Sequence, residues 1–242
     1  APCCYDALSA KLIEQAGIEM TFMSGFAASA SRIGMPDLGL MSYGEVADHA
    51  RNIAEATSLP FVADGDTGYG NAMNTRRTVS GLARAGAAAV MIEDQVSPKR
   101  CGHTAGKAVV DRDTAFDRIK AAVDACAETD VMILARTDAR ATHGLAEAID
   151  RAQKFHELGA EIIFVEAPQN VSEMQQICEN VPGLRMANML ECGNTTILPQ
   201  AELRDMGFNL AAYPLTLLAA VMKQLTNYLP MPRQSSMLAL QY

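Results

Sequence analysis

Short, continuously apolar runs alternate with longer amphipathic ones along the chain. MTFMS (20–24), PFVADGD (60–66), AAVMIED (88–94), VMILARTD (131–138), EIIFVEA (161–167), LRMANM (184–189) and FNLAAYP (208–214) are seven of the short runs, and the residues before Tyr5 form an eighth. Unbroken apolarity is what a strand buried on both faces requires. The segments 7–17, 43–57, 74–86, 113–128, 145–159, 171–180, 198–207 and 215–228 carry the 3.6-residue period of helices packed along one face. Residues 25–42 read as a loop. Gly17, Gly86, Gly159 and Gly207 stand where helices give way to strands. Eight βα units in 242 residues predict an α/β fold, a closed (β/α)8 TIM-type barrel over 1–229, with 230–242 as a C-terminal arm. A doubly wound open sheet is the alternative, but no Gly-rich dinucleotide turn follows the first strand.

In such a barrel the chemistry gathers at the carboxyl ends of the strands. Ser24 ends the second run, Asp64 and Asp66 the third, Glu93 and Asp94 the fourth, Arg136 and Asp138 the fifth, Glu166 the sixth and Asn188 the seventh. One polar strand end signifies little, because strand ends meet water. Six in succession predict a shared site. Asp64, Asp66 and Glu93, with Asp37 from the loop after the second strand, would repel one another without a cation. All-oxygen donors without paired His or Cys favour Mg²⁺ or Mn²⁺ over zinc; loop acids capping helix N-termini are the plainer alternative. A second constellation is KRCGH (99–103), where cationic neighbours predict a lowered pKa for Cys101 and a competent acid, base or nucleophile. Its alternative is a basic surface loop with an inert thiol. Gly102 and Gly106 give this long loop flexible points, as a lid on a barrel rim needs.

The charge balance, 20 basic against 28 acidic side chains, excludes a general nucleic-acid binder. The most apolar stretch, 210–222, falls short of the roughly 20 residues that span a bilayer and contains Pro214. Six scattered cysteines without a CxxC pair exclude a zinc finger or a disulfide scaffold. Free thiols predict a reducing compartment. The expected location is cytoplasmic, or an organellar matrix if a targeting segment precedes Ala1.

The combination SGF (24–26), PDLG (36–39), ADGDTGYGN (63–71), IEDQ (92–95), KRCGH (99–103) and ARTDA (135–139) resembles the isocitrate lyase and phosphoenolpyruvate mutase superfamily, in order and over nearly the whole chain. The resemblance implies a (β/α)8 barrel and a homotetramer whose last barrel helix is exchanged between subunits. It implies that Asp64 contacts Mg²⁺ directly while Asp37, Asp66 and Glu93 hold its waters. Ser24 and Gly25, helped by Tyr5, would bind one end of a small anionic carboxylate substrate. Arg136 would pair with its α-oxycarboxylate oxygens, and Gly102, His103, Glu166 and Asn188 would receive its second carboxylate. Cys101 would be the general acid, and Lys99 would add positive charge for the anion. Phosphonate enzymes of the superfamily lack the cysteine, so Cys101 implies a carbon–carbon lyase. Phe26 stands where isocitrate lyases carry Trp and short 2-methylisocitrate lyases carry Gly, so it reshapes the pocket there. The expected activity is cleavage of a 2-alkylmalate, 2-methylisocitrate or oxaloacetate through an enolate. A P–C bond enzyme and a catalytically silent barrel are the alternatives.

Overall fold

The computed structural model describes residues 1–103, 106–127 and 129–229; the expected arm at 230–242 lies outside them. In chain order the elements are β1 (Cys3–Cys4), α1 (Ala7–Gln15), β2 (Thr21–Met23), α2 (Gly25–Ile33), α3 (Tyr43–Ala56), β3 (Phe61–Asp64), α4 (Ala72–Arg84), β4 (Ala89–Glu93) and α5 (Arg112–Ala125). They continue with β5 (Met132–Thr137), α6 (Ala139–His143), α7 (Leu145–Glu157), β6 (Ile162–Val165), α8 (Val171–Asn180), β7 (Leu184–Asn188), α9 (Gln200–Met206), β8 (Leu210–Ala212) and α10 (Thr216–Tyr228). Every strand pairs in parallel with its sequence neighbour, from β1 to β8. That order excludes the doubly wound alternative, whose strand order reverses. Closure runs through the start of the chain. Cys3 N–H donates to the Tyr213 carbonyl at 3.1 Å, and Tyr213 N–H donates to that of Ala1 at 3.0 Å.

Side-chain parity divides the core into two layers. Phe22, Val62, Met91, Leu134, Phe164 and Met186 fill the barrel interior. Met23, Ala63, Val90, Ile92, Ala135, Ile163 and Val165 face outward beneath the helices, against Ile53, Leu82, Ile119 and Phe155. Helix starts follow local chemistry: the Asp6 carboxylate caps α1, and Ser42 and Glu45 form a reciprocal capping box on α3. Gly17, Gly86, Gly159 and Gly207 all adopt positive φ.

The expected loop at 25–42 contains α2. Its sequence, GFAASASRI, has small residues and no broad apolar stripe, so periodicity does not reveal it. Ser24 caps its first turn and Gly34 ends it at φ 64°, and these two signals bracket a helix. No helix among the described residues is long and apolar enough to cross a membrane.

Candidate active site

The parity that fills the barrel also builds the site. Two residues beyond the interior layer, on the same face, come Ser24, Asp64, Glu93, Arg136, Glu166 and Asn188. With Cys101, Gly102 and His103 from the loop after β4, five of these line a pocket of about 70 Å³; Glu93 lies beside it.

At one end, Gly25 N–H donates to Asp64 Oδ2 at 3.2 Å. A Cβ on residue 25 would stand 2.3 Å from the same oxygen, so only glycine fits. Phe26 lines the pocket beside Leu190 and Leu215. Tyr5 does not; it packs with Phe26 on the apolar rim, and its backbone carbonyl holds His49 Nε2 at 2.8 Å.

Behind this end lie the acids. Asp66, held at φ 48° in the Gly-rich turn, gives its N–H to Asp64 Oδ1 at 3.0 Å. The Lys99 ammonium lies 2.6 Å from Asp37 and 2.9 Å from Asp66, and Tyr69 Oη donates to Asp66 at 2.6 Å. Lys99 therefore neutralises the acids and is absent from the pocket wall, where it would meet an anionic substrate. Burial, then the Asp66 charge, pushes Asp64 up to about 6. Burial also raises Glu93 well above the carboxylate range, against the pull of Arg136.

Arg136 is equally committed. Its Nε lies 2.8 Å from Asp138 and 3.2 Å from Glu93, and its Nη2 lies 3.2 Å from Glu166. Burial works against this guanidinium, but the three carboxylates leave it firmly charged. Around the pocket, Asp37, Asp64, Asp66, Glu93, Asp138 and Glu166 face Lys99, Lys107 and Arg136. The expectation that Lys99 provides spare positive charge for the substrate is thus corrected. The site has more carboxylates than cations.

That excess, with the buried and unpartnered Oε1 of Glu93, is the feature a hard cation fits. No three acids among the described residues already converge as a ligand cage. Mg²⁺ does not require one, because it keeps several waters and takes one or two carboxylates directly. Asp64, on the pocket wall, would be the direct ligand, with Asp37, Asp66 and Glu93 behind it.

At the opposite end, Asn194 N–H donates to His103 Nδ1 at 3.0 Å, which leaves Nε2–H to donate to Glu166 Oε1 at 2.9 Å. Asn188 Nδ2 reaches both Glu166 oxygens at 3.3 and 3.4 Å. Burial alone would raise Glu166; Arg136, then His103, hold it well below the usual carboxylate range. A Cβ on Gly102 would lie 2.4 Å from Arg136 Nη2 and 2.5 Å from Glu166 Oε2, so the loop backbone lies directly on this network. The loop base is laced by Gln95, which pairs with Val109 and exchanges two hydrogen bonds with the Arg100 backbone.

Cys101 lines the pocket, but its expected low pKa is reversed. Burial, reinforced by Asp37, pushes the thiol up to about 11 and outweighs Lys99. The sequence neighbours misled because Lys99 turns to the acids. A raised thiol keeps its proton at neutral pH and can give it up only to a strong base.

A family model described as Phosphoenolpyruvate phosphomutase matches residues 1–230. The 2,3-dimethylmalate lyase of Eubacterium barkeri is 46% identical over 88% of this chain and 74% of its own. The 2-methylisocitrate lyase of Halalkalibacterium halodurans is 42% identical over 92% and 73%. The chain belongs to the phosphoenolpyruvate mutase/isocitrate lyase superfamily. Among solved superfamily structures, that of oxaloacetate acetylhydrolase with the inhibitor 3,3-difluorooxalacetate superposes with a TM-score of 0.90 at 32% identity, covering 99% of this chain and 86% of the other. The chain is an enzyme of this superfamily, among relatives named as lyases and an acetylhydrolase.

Sequence reasoning missed three members of the site. Lys107 and Tyr69 were unassigned, and Asp138 was noted only as a strand end. The signal for Lys107 was present: it is the other lysine of the same loop.

Proposed function

We propose that the protein is a Mg²⁺-dependent carbon–carbon lyase that cleaves a small 2-hydroxy or 2-oxo dicarboxylate, with Cys101 as general acid. The 2-alkylmalate type comes first, ahead of oxaloacetate and 2-methylisocitrate. The observation that carries the reading is the place of Cys101 on the pocket wall, in the same small cavity as Asp64 and the Arg136 network.

Asp64 would hold a Mg²⁺ or Mn²⁺ ion, which would supply Lewis acidity that lowers the pKa of the substrate hydroxyl. Gly25 and Ser24 border that end of the pocket. Arg136 would pair with the α-oxycarboxylate oxygens and stabilise the alkoxide that forms when the hydroxyl gives its proton to solvent, an electrostatic role worth most in a buried site. As the C2–C3 bond breaks, C2 becomes the carbonyl of a 2-oxo acid and the bond's electron pair passes to C3 as the enolate of the departing acid. Cys101 donates its proton to that carbon, and the thiolate then regains a proton from solvent. Gly102, His103, Glu166 and Asn188 shape the end that receives the second carboxylate. The interior floor of Phe22, Met91, Phe164, Met186 and Ala212 suits an alkyl branch, each buried CH₂ being worth about 0.8 kcal/mol.

Free cysteines throughout the chain support a reducing, cytoplasmic setting. A homotetramer is supported by exposed Val221, Leu225 and Tyr228 along α10; a monomeric mass in light scattering would overturn it.

Cys101→Ser is the direct test. Turnover should fall at least 100-fold while oxalate, a mimic of the α-oxycarboxylate end, still binds with Mg²⁺. Unchanged turnover would remove Cys101 from the mechanism. The phosphomutase description of the family model favours a second reading, a phosphonate P–C bond enzyme. Cleavage or rearrangement of phosphonopyruvate by the wild-type protein would establish it.

A further inference from the structure

We propose that Lys107 is a positioning residue for the general acid. It straps the carbonyl of Gly102 to Asp138, and through Asp138 to Arg136, so that Cys101 is held at the pocket by the group that binds substrate. The inference rests on the role given above to Cys101.

The Lys107 side chain is only 4% exposed, and its ammonium lies 2.5 Å from Asp138 Oδ1. It also donates to the Gly102 carbonyl oxygen. A buried ammonium is costly unless paired, and both of its acceptors belong to working parts of the site. Asp138 is a fixed post. Its Oδ2 accepts Arg136 Nε at 2.8 Å, and its Oδ1 accepts Arg136 Nη2 at 3.1 Å in addition to Lys107. Its backbone N–H donates to Asp94 Oδ1 at 2.9 Å. Asp94 is in turn gripped by Thr137 Oγ1 at 2.7 Å and Arg151 Nη1 at 3.1 Å.

Gly102 is the other end of the same chain of contacts. It follows Cys101 directly and lies against Arg136 and Glu166 so closely that no side chain fits. The Gln95 contacts fix the loop only as far as Arg100 and Val109. Between those points Lys107 and His103 tie the loop to the barrel; Gln95 holds the Arg100 backbone before Cys101, and Lys107 holds the Gly102 carbonyl after it. A lysine acting solely as a structural ion pair would affect stability. A strap also sets the exposure of the neighbouring thiol.

The test is iodoacetamide alkylation of Cys101, followed by peptide mass spectrometry on Mg²⁺-supplemented wild-type protein and on Lys107→Met. It is read beside kcat and KM on whichever acid turns over. Lys107→Met should alkylate at Cys101 at least tenfold faster, lose on the order of 100-fold in kcat and keep KM within threefold, as a misplaced reacting group predicts. Lys107→Arg, which keeps a charge for Asp138 but not the point contact with both acceptors, should fall between the two and serves if Lys107→Met does not fold. Wild-type alkylation rates in both variants would overturn the strap, as would a fall in kcat with no gain in thiol reactivity. Full turnover by Cys101→Ser would remove the general-acid reading while the alkylation rates still reported on the strap. An inactive Cys101→Ser with wild-type alkylation in Lys107→Met would do the reverse.

Discussion

Gly102→Ala adds one methyl where the site has no room. The new Cβ would lie 2.4 Å from Arg136 Nη2 and 2.5 Å from Glu166 Oε2, where ordinary contact begins at 3.4 Å, so about 1 Å of overlap must be relieved. Neither neighbour is free to yield. Arg136 is held by Asp138, Glu93 and Glu166, and Glu166 by His103. Either the guanidinium shifts from its place or the loop lifts and takes Cys101 with it. Both displace a reacting group by about 1 Å, which costs on the order of 100-fold in rate, or about 2.7 kcal/mol of barrier. Global stability should suffer about 1–3 kcal/mol, the usual range for overpacking. In a chain of this size that lowers Tm by roughly 2–12 °C. Steady-state kinetics with a thermal melt checks both. A kcat within threefold of wild type, in a variant that melts normally, would refute the packing of loop on network.

Other outcomes follow from the acidic end. Saturating Mg²⁺, at about 100 times Kd, should stabilise the protein by about 2.7 kcal/mol in differential scanning fluorimetry, and Asp64→Ala should abolish that shift. Gly25→Ala, whose Cβ would press on Asp64 Oδ2 at 2.3 Å, should weaken the Mg²⁺ response with every acid still in place. Because Asp64 holds its proton up to about pH 6, proton and cation compete below that point. Apparent Mg²⁺ affinity measured by calorimetry should then fall about tenfold per pH unit below 6 and level off above it. Cys101, raised to about 11, is mostly thiol at neutral pH. Its alkylation should climb about tenfold per unit from pH 7 to 10, where an ordinary thiol levels off near 8.5.

The barrel was legible because both of its signals are periodic. A run such as AVMIE is apolar at every position, and the step from Met91 to Glu93 on one face announces where core ends and site begins. The strand ends point to Ser24, Asp64, Glu93, Arg136, Glu166 and Asn188 in the sequence, and period-2 parity explains why they share one face. It failed where the chain leaves the lattice of strands. Helix α2 is built of small residues, so only its cap and its terminal glycine mark it. The environment of Cys101 was misjudged because adjacency in sequence is not adjacency in space. Lys99 turns from the thiol to Asp37 and Asp66, and burial then decides the thiol's pKa. Lys107 has a partner 31 residues away, at Asp138, which no local pattern reveals.

Carbon–carbon cleavage of a small branched diacid is read out plainly by proton NMR. Purified protein with Mg²⁺ is incubated with 2,3-dimethylmalate, oxaloacetate, 2-methylisocitrate, isocitrate and phosphonopyruvate in separate tubes. Pyruvate and propionate should appear from 2,3-dimethylmalate, at a rate that collapses in Cys101→Ser. Phosphonopyruvate consumed while every carbon diacid stays intact would make the protein a phosphonate enzyme instead.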